Sequence, residues 1–382
     1  MSAVDPSAAP GSDRVPVRPD LAEVTPYGAP QLDVAVRLNT NETAEPPPPG
    51  YLTEVGRRIQ GLELNRYPDR GVTELRRSLG QRLGLPAERA WAANGSNEIL
   101  QQLLQAYGGP GRLALGVRPG YSMYPELCRT SLTPMVEVDL DADFQLTPQV
   151  AADAVAAHDP DLIMVPTPNN PVGTPVTHEA LRALHDGSRA LVVVDEAYIE
   201  FADDHLAALP LLDQLPRLVI VRTLSKAFRL AGLRLGYLLG PAWVVEDLQK
   251  VRLPYHLDAV KQIAGIVALE QEAAFLEHRR RIASERERVA AALAQRSDVE
   301  VFPSAANFVL VRTGVDDLFG QLLAHGVLVR DFSTKPRLEG CVRVTIGTEA
   351  ENDAFLAALD RVLAGAEHPP TPAEMTGRSS AP

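Results

Sequence analysis

The sequence predicts an α/β protein, with a large unit on a mainly parallel sheet flanked by helices and a smaller α+β unit drawn from both ends of the chain. Three observations predict it. Uninterrupted apolar runs at 162–165, 191–194, 218–221 and 235–239 have the character of strands buried on both faces. Helical periodicity at 149–157 and 178–185 alternates with those runs, the rhythm of a doubly wound sheet. After Arg252-Leu253-Pro254-Tyr255 the rhythm stops, and a long helical stretch at 258–295 leads into three further strand-like runs. In doubly wound sheets the ligand crevice lies outside the carboxyl ends of the strands, so the polar loops that follow the strands are where a site is expected.

Taken in order, residues 1–18 are rich in Ala, Ser, Pro and Asp without an apolar h-region, which reads as a disordered tail and not a signal peptide. A short strand at 34–39 runs into Asn41-Glu42-Thr43 and a four-proline stretch at 46–49 that must be extended. A helix at 51–62, a turn at Asn65-Arg66-Tyr67-Pro68-Asp69 and a helix at 73–83 follow. After the loop 92–98, Ile99, Leu100, Leu103, Leu104 and Tyr107 share one helical face, with Ser96 as candidate N-cap. A strand at 112–116 opens the alternating region. Charged clusters at 277–281 and 285–288 read as one solvated face of the long helical stretch. Strands at 307–311, 327–330 and 341–346 complete the second unit, and a Pro/Ser/Thr-rich tail covers 367–382. The expected division is 46–254 for the large domain, and 19–45 with 255–366 for the small one.

At 382 residues the chain has room for more than one domain, and 45% hydrophobic with 23% charged residues is a globular composition. A net charge of −12 argues against a nucleic-acid surface, though arginines in a cleft can still attract small anions. Cys128 and Cys341 offer neither a disulfide framework nor metal-ligand spacing, so reduced thiols, no metal and a cytoplasmic location are expected. No apolar run reaches membrane-spanning length.

The chemistry concentrates around Thr223-Leu224-Ser225-Lys226, between the runs at 218–221 and 235–239, with Arg234 eight residues beyond the lysine. An unpaired ammonium there is costly. The stretch is either a surface turn that happens to hold Lys and Arg, or a lysine that gives up its charge in a Schiff base with an aldehyde cofactor. Thr223, Ser225 and Arg234 would then be donors to a phosphate beside it. Asn169-Asn170-Pro171 alone is a turn. Asp195 ends a buried strand, where an acid needs a cationic partner; a pyridinium N–H is one, and Tyr198 is within reach of the neighbouring ring hydroxyl. Gly95-Ser96-Asn97 opens a helix whose free N–H groups suit a phosphate, and Tyr121 follows a strand where it can stack on a flat ring. Together these are the parts that pyridoxal 5′-phosphate requires, and neither G-x-G-x-x-G nor G-x-x-x-x-G-K-[ST] competes.

The ordered set Gly95-Ser96-Asn97-Glu98, Tyr121-Ser122-Met123-Tyr124, Asn169-Asn170-Pro171-Val172-Gly173, Val194-Asp195-Glu196-Ala197-Tyr198, Ser225-Lys226-Ala227-Phe228 and Gly232-Leu233-Arg234-Leu235-Gly236 resembles the fold-type-I aminotransferases. Ser225-Lys226-Ala227-Phe228 with Val329-Arg330-Asp331 and Arg343-Val344-Thr345 points to their histidinol-phosphate aminotransferase branch. The resemblance runs from about residue 19 to 365 and implies the seven-stranded, mainly parallel sheet of that fold type in the large domain. It implies Lys226 as the imine lysine and proton shuttle, Asp195 on the pyridine nitrogen, and Tyr198 and Asn170 on the ring hydroxyl. Tyr121 would stack on the ring; Ser96, Asn97, Thr223, Ser225 and Arg234 would hold the phosphate. Tyr67 corresponds to a tyrosine that reaches the cofactor phosphate of a second subunit, which implies a homodimer with shared sites. Arg343 would bind the substrate's acidic end, Arg330 would assist on a phosphate, and Tyr27 would close over it.

The implied reaction takes L-histidinol phosphate and 2-oxoglutarate to imidazole-acetol phosphate and L-glutamate, in histidine biosynthesis. An aromatic amino-acid aminotransferase is the alternative on the same scaffold, with phenylalanine's carboxylate on Arg343. A decarboxylase of phosphorylated threonine is more distant, and a non-catalytic binding domain would have lost Lys226 or Asp195. The chain departs from the family's usual pattern at Asn41-Glu42-Thr43-Ala44, where Asn-Glu-Asn-Pro is common, at Gly120, where Ser or Thr is common, and at Arg229, where a small residue is common.

Overall fold

Leu162 and Met164 turn to one face of their strand and pack with Leu191, Val193, Val219 and Val221. Ile163 and Val165 turn to the other face, with Val192, Val194 and Ile220. Both faces are covered, which is why these strands read as continuous apolar runs and not as alternating ones. The computed structural model describes residues 15–26 and 28–365; Tyr27, most of the expected N-terminal tail and the whole of the C-terminal one lie outside the described residues.

In chain order the strands are β1 (Val36–Arg37), β2 (Ala90–Ala93), β3 (Ala114–Arg118), β4 (Met135–Asp139), β5 (Leu162–Pro166), β6 (Leu191–Asp195), β7 (Leu218–Thr223), β8 (Gly236–Leu239), β9 (Val299–Val301), β10 (Phe308–Thr313), β11 (Val327–Leu328), β12 (Arg330–Asp331) and β13 (Cys341–Thr345). The helices are α1 (Tyr51–Ile59), α2 (Thr73–Leu83), α3 (Ser96–Tyr107), α4 (Met123–Thr130), α5 (Pro148–His158), α6 (His178–Asp186), α7 (Ala242–Val251), α8 (Ala259–Glu270), α9 (Glu272–Leu276), α10 (Arg279–Ala294), α11 (Leu318–Ala324) and α12 (Glu349–Leu363).

The large sheet has seven strands in the order β2-β8-β7-β6-β5-β3-β4. All neighbours from β7 to β4 are parallel, and β8 runs antiparallel to both β7 and β2. Because β2 is antiparallel to β8, its carboxyl end lies on the same edge as those of β5, β6 and β7. That edge carries the loops 94–97, 167–171, 196–198 and 224–226. A four-stranded sheet of order β12-β13-β10-β9 and the parallel pair β1–β11 form a second unit, closed by α10 and α12 around Leu38, Phe308, Val344 and Phe355.

Several local readings are corrected. Gly95, at φ 89°, is the N-cap of α3, and Ser96 is its first helical residue. The stretch 258–295 is three helices: the Asp258 side chain caps α8, and the chain breaks at Gln271 and again near His278. The packing also changes later than residue 255. Leu257, Ala264, Val267 and Phe275 belong to the large core, Tyr51 donates to the Ala264 carbonyl at 3.0 Å, and the Tyr51 and Phe275 rings meet edge-on at 5.0 Å. Gly265 permits this, since a Cβ there would lie 2.5 Å from Leu235. Among the described residues no helix is long and apolar enough to cross a membrane. Both cysteines are buried and unpaired.

One buried ionic group lies directly behind the edge. Glu196 is fully buried; its Oε2 accepts from Arg222 Nε at 2.8 Å, and its Oε1 accepts from the Ala208 N–H at 2.6 Å. Glu200 is buried nearby with no hydrogen-bond partner for either carboxylate oxygen among the described residues, and burial raises its pKa against the pull of Arg222 and Arg82. Breaking a buried pair from one side leaves an uncompensated charge. Arg222→Met is therefore expected to destabilise the fold by about 3–5 kcal/mol, read as a fall in denaturant midpoint, with part recovered in Arg222→Met/Glu196→Gln.

Candidate active site

The carboxyl edge of the large sheet meets β12 and β13 in a cavity of about 240 Å³. Its lining includes Ser96, Asn97, Tyr121, Asn170, Asp195, Tyr198, Thr223, Ser225, Lys226, Arg234, Arg330 and Arg343. The structure thus brings together every sequence-predicted site residue except Tyr67, which lies elsewhere on the surface, and Tyr27, outside the described residues. Tyr67 is 78% exposed and stacks on Tyr255 with ring centroids 4.3 Å apart.

Lys226 sits three residues beyond β7, where the chain turns from one buried strand toward another. Its Nζ donates to the Thr40 carbonyl at 2.8 Å and lies 5.8 Å from the Tyr198 ring centroid. Burial, then repulsion from Arg343 and Arg234, pushes the amine down to about 7, and Glu42 opposes that fall only in part. Asp195 is nearly sealed. Burial raises its carboxyl to about 6, even though Oδ2 accepts from the Tyr124 hydroxyl at 3.1 Å. Its Oδ1 has no hydrogen-bond partner among the described residues. A buried carboxylate oxygen without a donor suits a cationic N–H brought in by a ligand.

On the other side of Lys226, Ser225 Oγ accepts from Arg234 Nη1 at 3.1 Å and from Thr223 Oγ1 at 3.0 Å. The first turn of α3 faces this group. A Cβ on Gly95 would lie 2.7 Å from Arg234 Nη2, and one on Gly236 would run into the Ser96 backbone N. Two glycines therefore let a helix N-terminus, two hydroxyls and a guanidinium close on one spot, a donor set for a phosphate. The Tyr121 hydroxyl donates to Asn97 Oδ1 at 3.3 Å. Asn170 Nδ2 donates to the Tyr198 hydroxyl at 3.3 Å. The residues present fit the expected cofactor: an amine, a partnerless buried carboxylate oxygen and a phosphate cradle, with an aromatic ring at the wall.

Opposite them, Arg343 is buried at the centre of β13, with its guanidinium 5.2 Å from the Phe308 ring and 5.5 Å from Phe332. Nη2 donates to the Asn39 carbonyl at 2.8 Å and Nη1 to Asn170 Oδ1. Arg330 Nη1 donates to the Gly28 carbonyl at 3.2 Å.

The structure adds residues that sequence reasoning left without a role: Tyr124 on Asp195, Thr40 on Lys226, Asn39 on Arg343, Phe332 beside Arg343, and Asn41, whose Nδ2 donates to the Tyr198 hydroxyl at 2.9 Å. Two of these contacts use backbone carbonyls, which carry no side-chain signal. The departures acquire reasons as well. A Cβ on Gly120 would collide with the Val117 carbonyl, so this turn admits no Ser or Thr. Thr43 Oγ1 donates to the Lys226 carbonyl at 2.9 Å.

The sequence matches aminotransferase class I and II over residues 34–359. It is 45% identical to the histidinol-phosphate aminotransferase of Nocardia farcinica, over 95% of this chain and 95% of that protein. It is 45% identical to the histidinol-phosphate aminotransferase of Mycolicibacterium smegmatis, over 94% of this chain and 96% of that protein. Among solved structures, the histidinol-phosphate aminotransferase of Sinorhizobium meliloti in complex with pyridoxal-5′-phosphate superposes with a TM-score of 0.77 at 26% identity, covering 87% of this chain and 92% of that one.

The depressed Lys226 pKa has a stability signature. Between about 7 and the ordinary 10.5 the unfolded chain binds the proton that the folded chain has lost, so the folded state gains stability as pH rises through that window. In the cofactor-free chain, Lys226→Met is expected to be more stable than the parent at pH 7 and below, by about 5 kcal/mol. The advantage should shrink to nothing by about pH 10.5 in denaturant titrations.

Proposed function

The chain belongs to aminotransferase class I and II, and on that premise we propose that it transfers the amino group of L-histidinol phosphate to 2-oxoglutarate, giving imidazole-acetol phosphate and L-glutamate in histidine biosynthesis. The observation that carries this reading is the cavity itself, in which Lys226 and the cradle at Ser225 face two arginines, Arg343 and Arg330. The names of the relatives, at 45% identity over nearly full length, support the phosphate substrate over an aromatic amino acid.

Pyridoxal 5′-phosphate, when bound, supplies the electron sink that stabilises negative charge at the substrate's Cα. Thr223, Ser225, Arg234 and the first turn of α3, with Ser96 and Asn97, hold its phosphate. Asp195 Oδ1 would take the pyridine N–H, with Tyr124 holding that carboxylate in place through Oδ2. Tyr198 and Asn170 would orient the ring hydroxyl, and Tyr121 would cover the ring. Lys226, whose amine is neutral in a large fraction near pH 7, anchors the cofactor and takes the proton from the substrate's Cα. Arg343 is fixed by Asn39, Asn170 and two aromatic faces, so it offers a rigid fork to a carboxylate or phosphate. Arg330, closer to the mouth, adds charge for a dianionic phosphate. One site serves both half-reactions because histidinol phosphate and glutamate each present an anion beyond Cα. The exposed Tyr67–Tyr255 stack is the surface offered to a second copy of the chain, with Tyr67 reaching the partner's cradle in a homodimer.

The test is a single-turnover spectrum of the cofactor-loaded enzyme. L-Histidinol phosphate is expected to bleach the visible band of the bound cofactor rapidly, and L-phenylalanine slowly. The reverse preference would overturn the histidine-pathway assignment while leaving the transferase chemistry. Arg330→Gln is expected to lower kcat/KM for L-histidinol phosphate by about 10–100-fold, the loss of a charge-assisted contact, with phenylalanine changed less than about threefold.

A further inference from the structure

Residues 39–46 form an irregular strap across the cavity, attached to the site from both ends. At its beginning the Asn39 carbonyl holds Arg343 and the Thr40 carbonyl holds Lys226, each at 2.8 Å. The Asn41 N–H donates to Thr345 Oγ1 at 3.0 Å, and its carbonyl accepts from Asn307 Nδ2 at 3.2 Å. The strap therefore sets the position of two groups that touch cofactor and substrate. It has no regular secondary structure to keep it in place, so its far end must be held by side chains.

That end is held by Glu45. Its carboxylate pairs with Arg229 Nη1 at 3.3 Å and with Arg281, at the first turn of α10. Arg229 lies three residues beyond Lys226 on the same loop, and its Nη1 also donates to the Pro46 carbonyl at 3.2 Å. The rest of its guanidinium is anchored on the opposite side: Nε donates to His278 Nδ1 at 3.0 Å, and Nη2 to the Phe275 and Ala274 carbonyls at 3.3 and 3.4 Å, at the end of α9. The side chain is only 10% exposed, and its backbone is left-handed at φ 54°, a conformation that a non-glycine residue holds only when its surroundings fix it. Burial and Arg229 together push His278 down to about 4, so it stays neutral and adds no charge. Glu45 is thus the anion between two guanidinium groups that otherwise repel each other.

We propose that Glu45 and Arg229 are a latch that clamps the strap 39–46 onto the lysine-bearing loop, which makes Arg229 a positioning residue for Lys226 and Arg343. Only the kinetic part of this inference rests on the proposed reaction. Glu45→Gln removes the anion without changing shape, Arg229→Met removes the clamp, and Arg229→Lys keeps the charge but not the fork.

Hydrogen exchange on the cofactor-free chain reads the latch without any substrate. In Glu45→Gln and Arg229→Met the Asn41 amide, hydrogen-bonded to Thr345 Oγ1, is expected to exchange about tenfold faster, with β6 and β7 unchanged and Arg229→Lys in between. In the loaded enzymes KM for L-histidinol phosphate is expected to rise about five- to twentyfold as Arg343 loosens, and kcat to fall about three- to tenfold as Lys226 loosens. Unchanged exchange in the strap, or acceleration spread equally over β6 and β7, would overturn the latch. Because Glu45→Gln is a surface-near isostere, it decides the matter even if Arg229→Met does not fold. Faster strap exchange with no turnover of histidinol phosphate by the parent would keep the latch and reject the reaction instead.

Discussion

A lysine amine recessed beside two arginines is the constraint on which the site depends. Little in the surroundings stabilises Lys226 as an ammonium: the Thr40 carbonyl accepts from it and Glu42 attracts it, but burial, with repulsion from Arg343 and Arg234, outweighs both. The free chain tolerates this because the amine can lose its proton near neutrality, and the same property makes it a base. Each neighbouring feature then has a place. The cradle at Ser225 and Arg234 gathers donors for an anion, and Asp195 keeps one buried oxygen without a donor. Burial does most to depress Lys226, and the cationic field of Arg343 and Arg234 that adds to it is also the field that attracts a phosphate and a carboxylate.

Adjacent acids on β6 and its loop show how position decides use. Glu196 is bound on both oxygens, by Arg222 and the Ala208 N–H, and is structural. Asp195 points to the cavity with one oxygen satisfied by Tyr124 and one left for a ligand. Asp195 ends β6 and Glu196 directly follows it, and successive side chains of extended backbone turn to opposite sides, so Asp195 turns to the cavity while Glu196 turns into the fold.

Much of this was legible in the sequence. The parallel strands were visible because burial on both faces forces continuous apolar runs, and the site loops because they follow those strands. β2, as Ala90-Trp91-Ala92-Ala93, is too short and too rich in alanine to announce itself. β4 has the mixed burial of an edge strand, and β9 is only three residues long. The Ser96 cap failed because Gly95 takes the left-handed position that the crowding of Arg234 requires. α8 joined the wrong unit because helix periodicity says which face is apolar and not which core it meets; Gly265 and Phe275 decide that through packing. The carbonyl contacts of Asn39 and Thr40 were invisible for a simpler reason, since every residue has a carbonyl.

The central claim, that Lys226 is an amine held near neutrality by its surroundings, is open to direct titration. The chain has four lysines, Lys226, Lys250, Lys261 and Lys335, so a ¹³Cε-lysine spectrum of the cofactor-free protein is assignable by comparison with Lys226→Met. The account predicts one resonance titrating near pH 7, lost in that variant. A Lys226 midpoint at the ordinary 10.5 would contradict it.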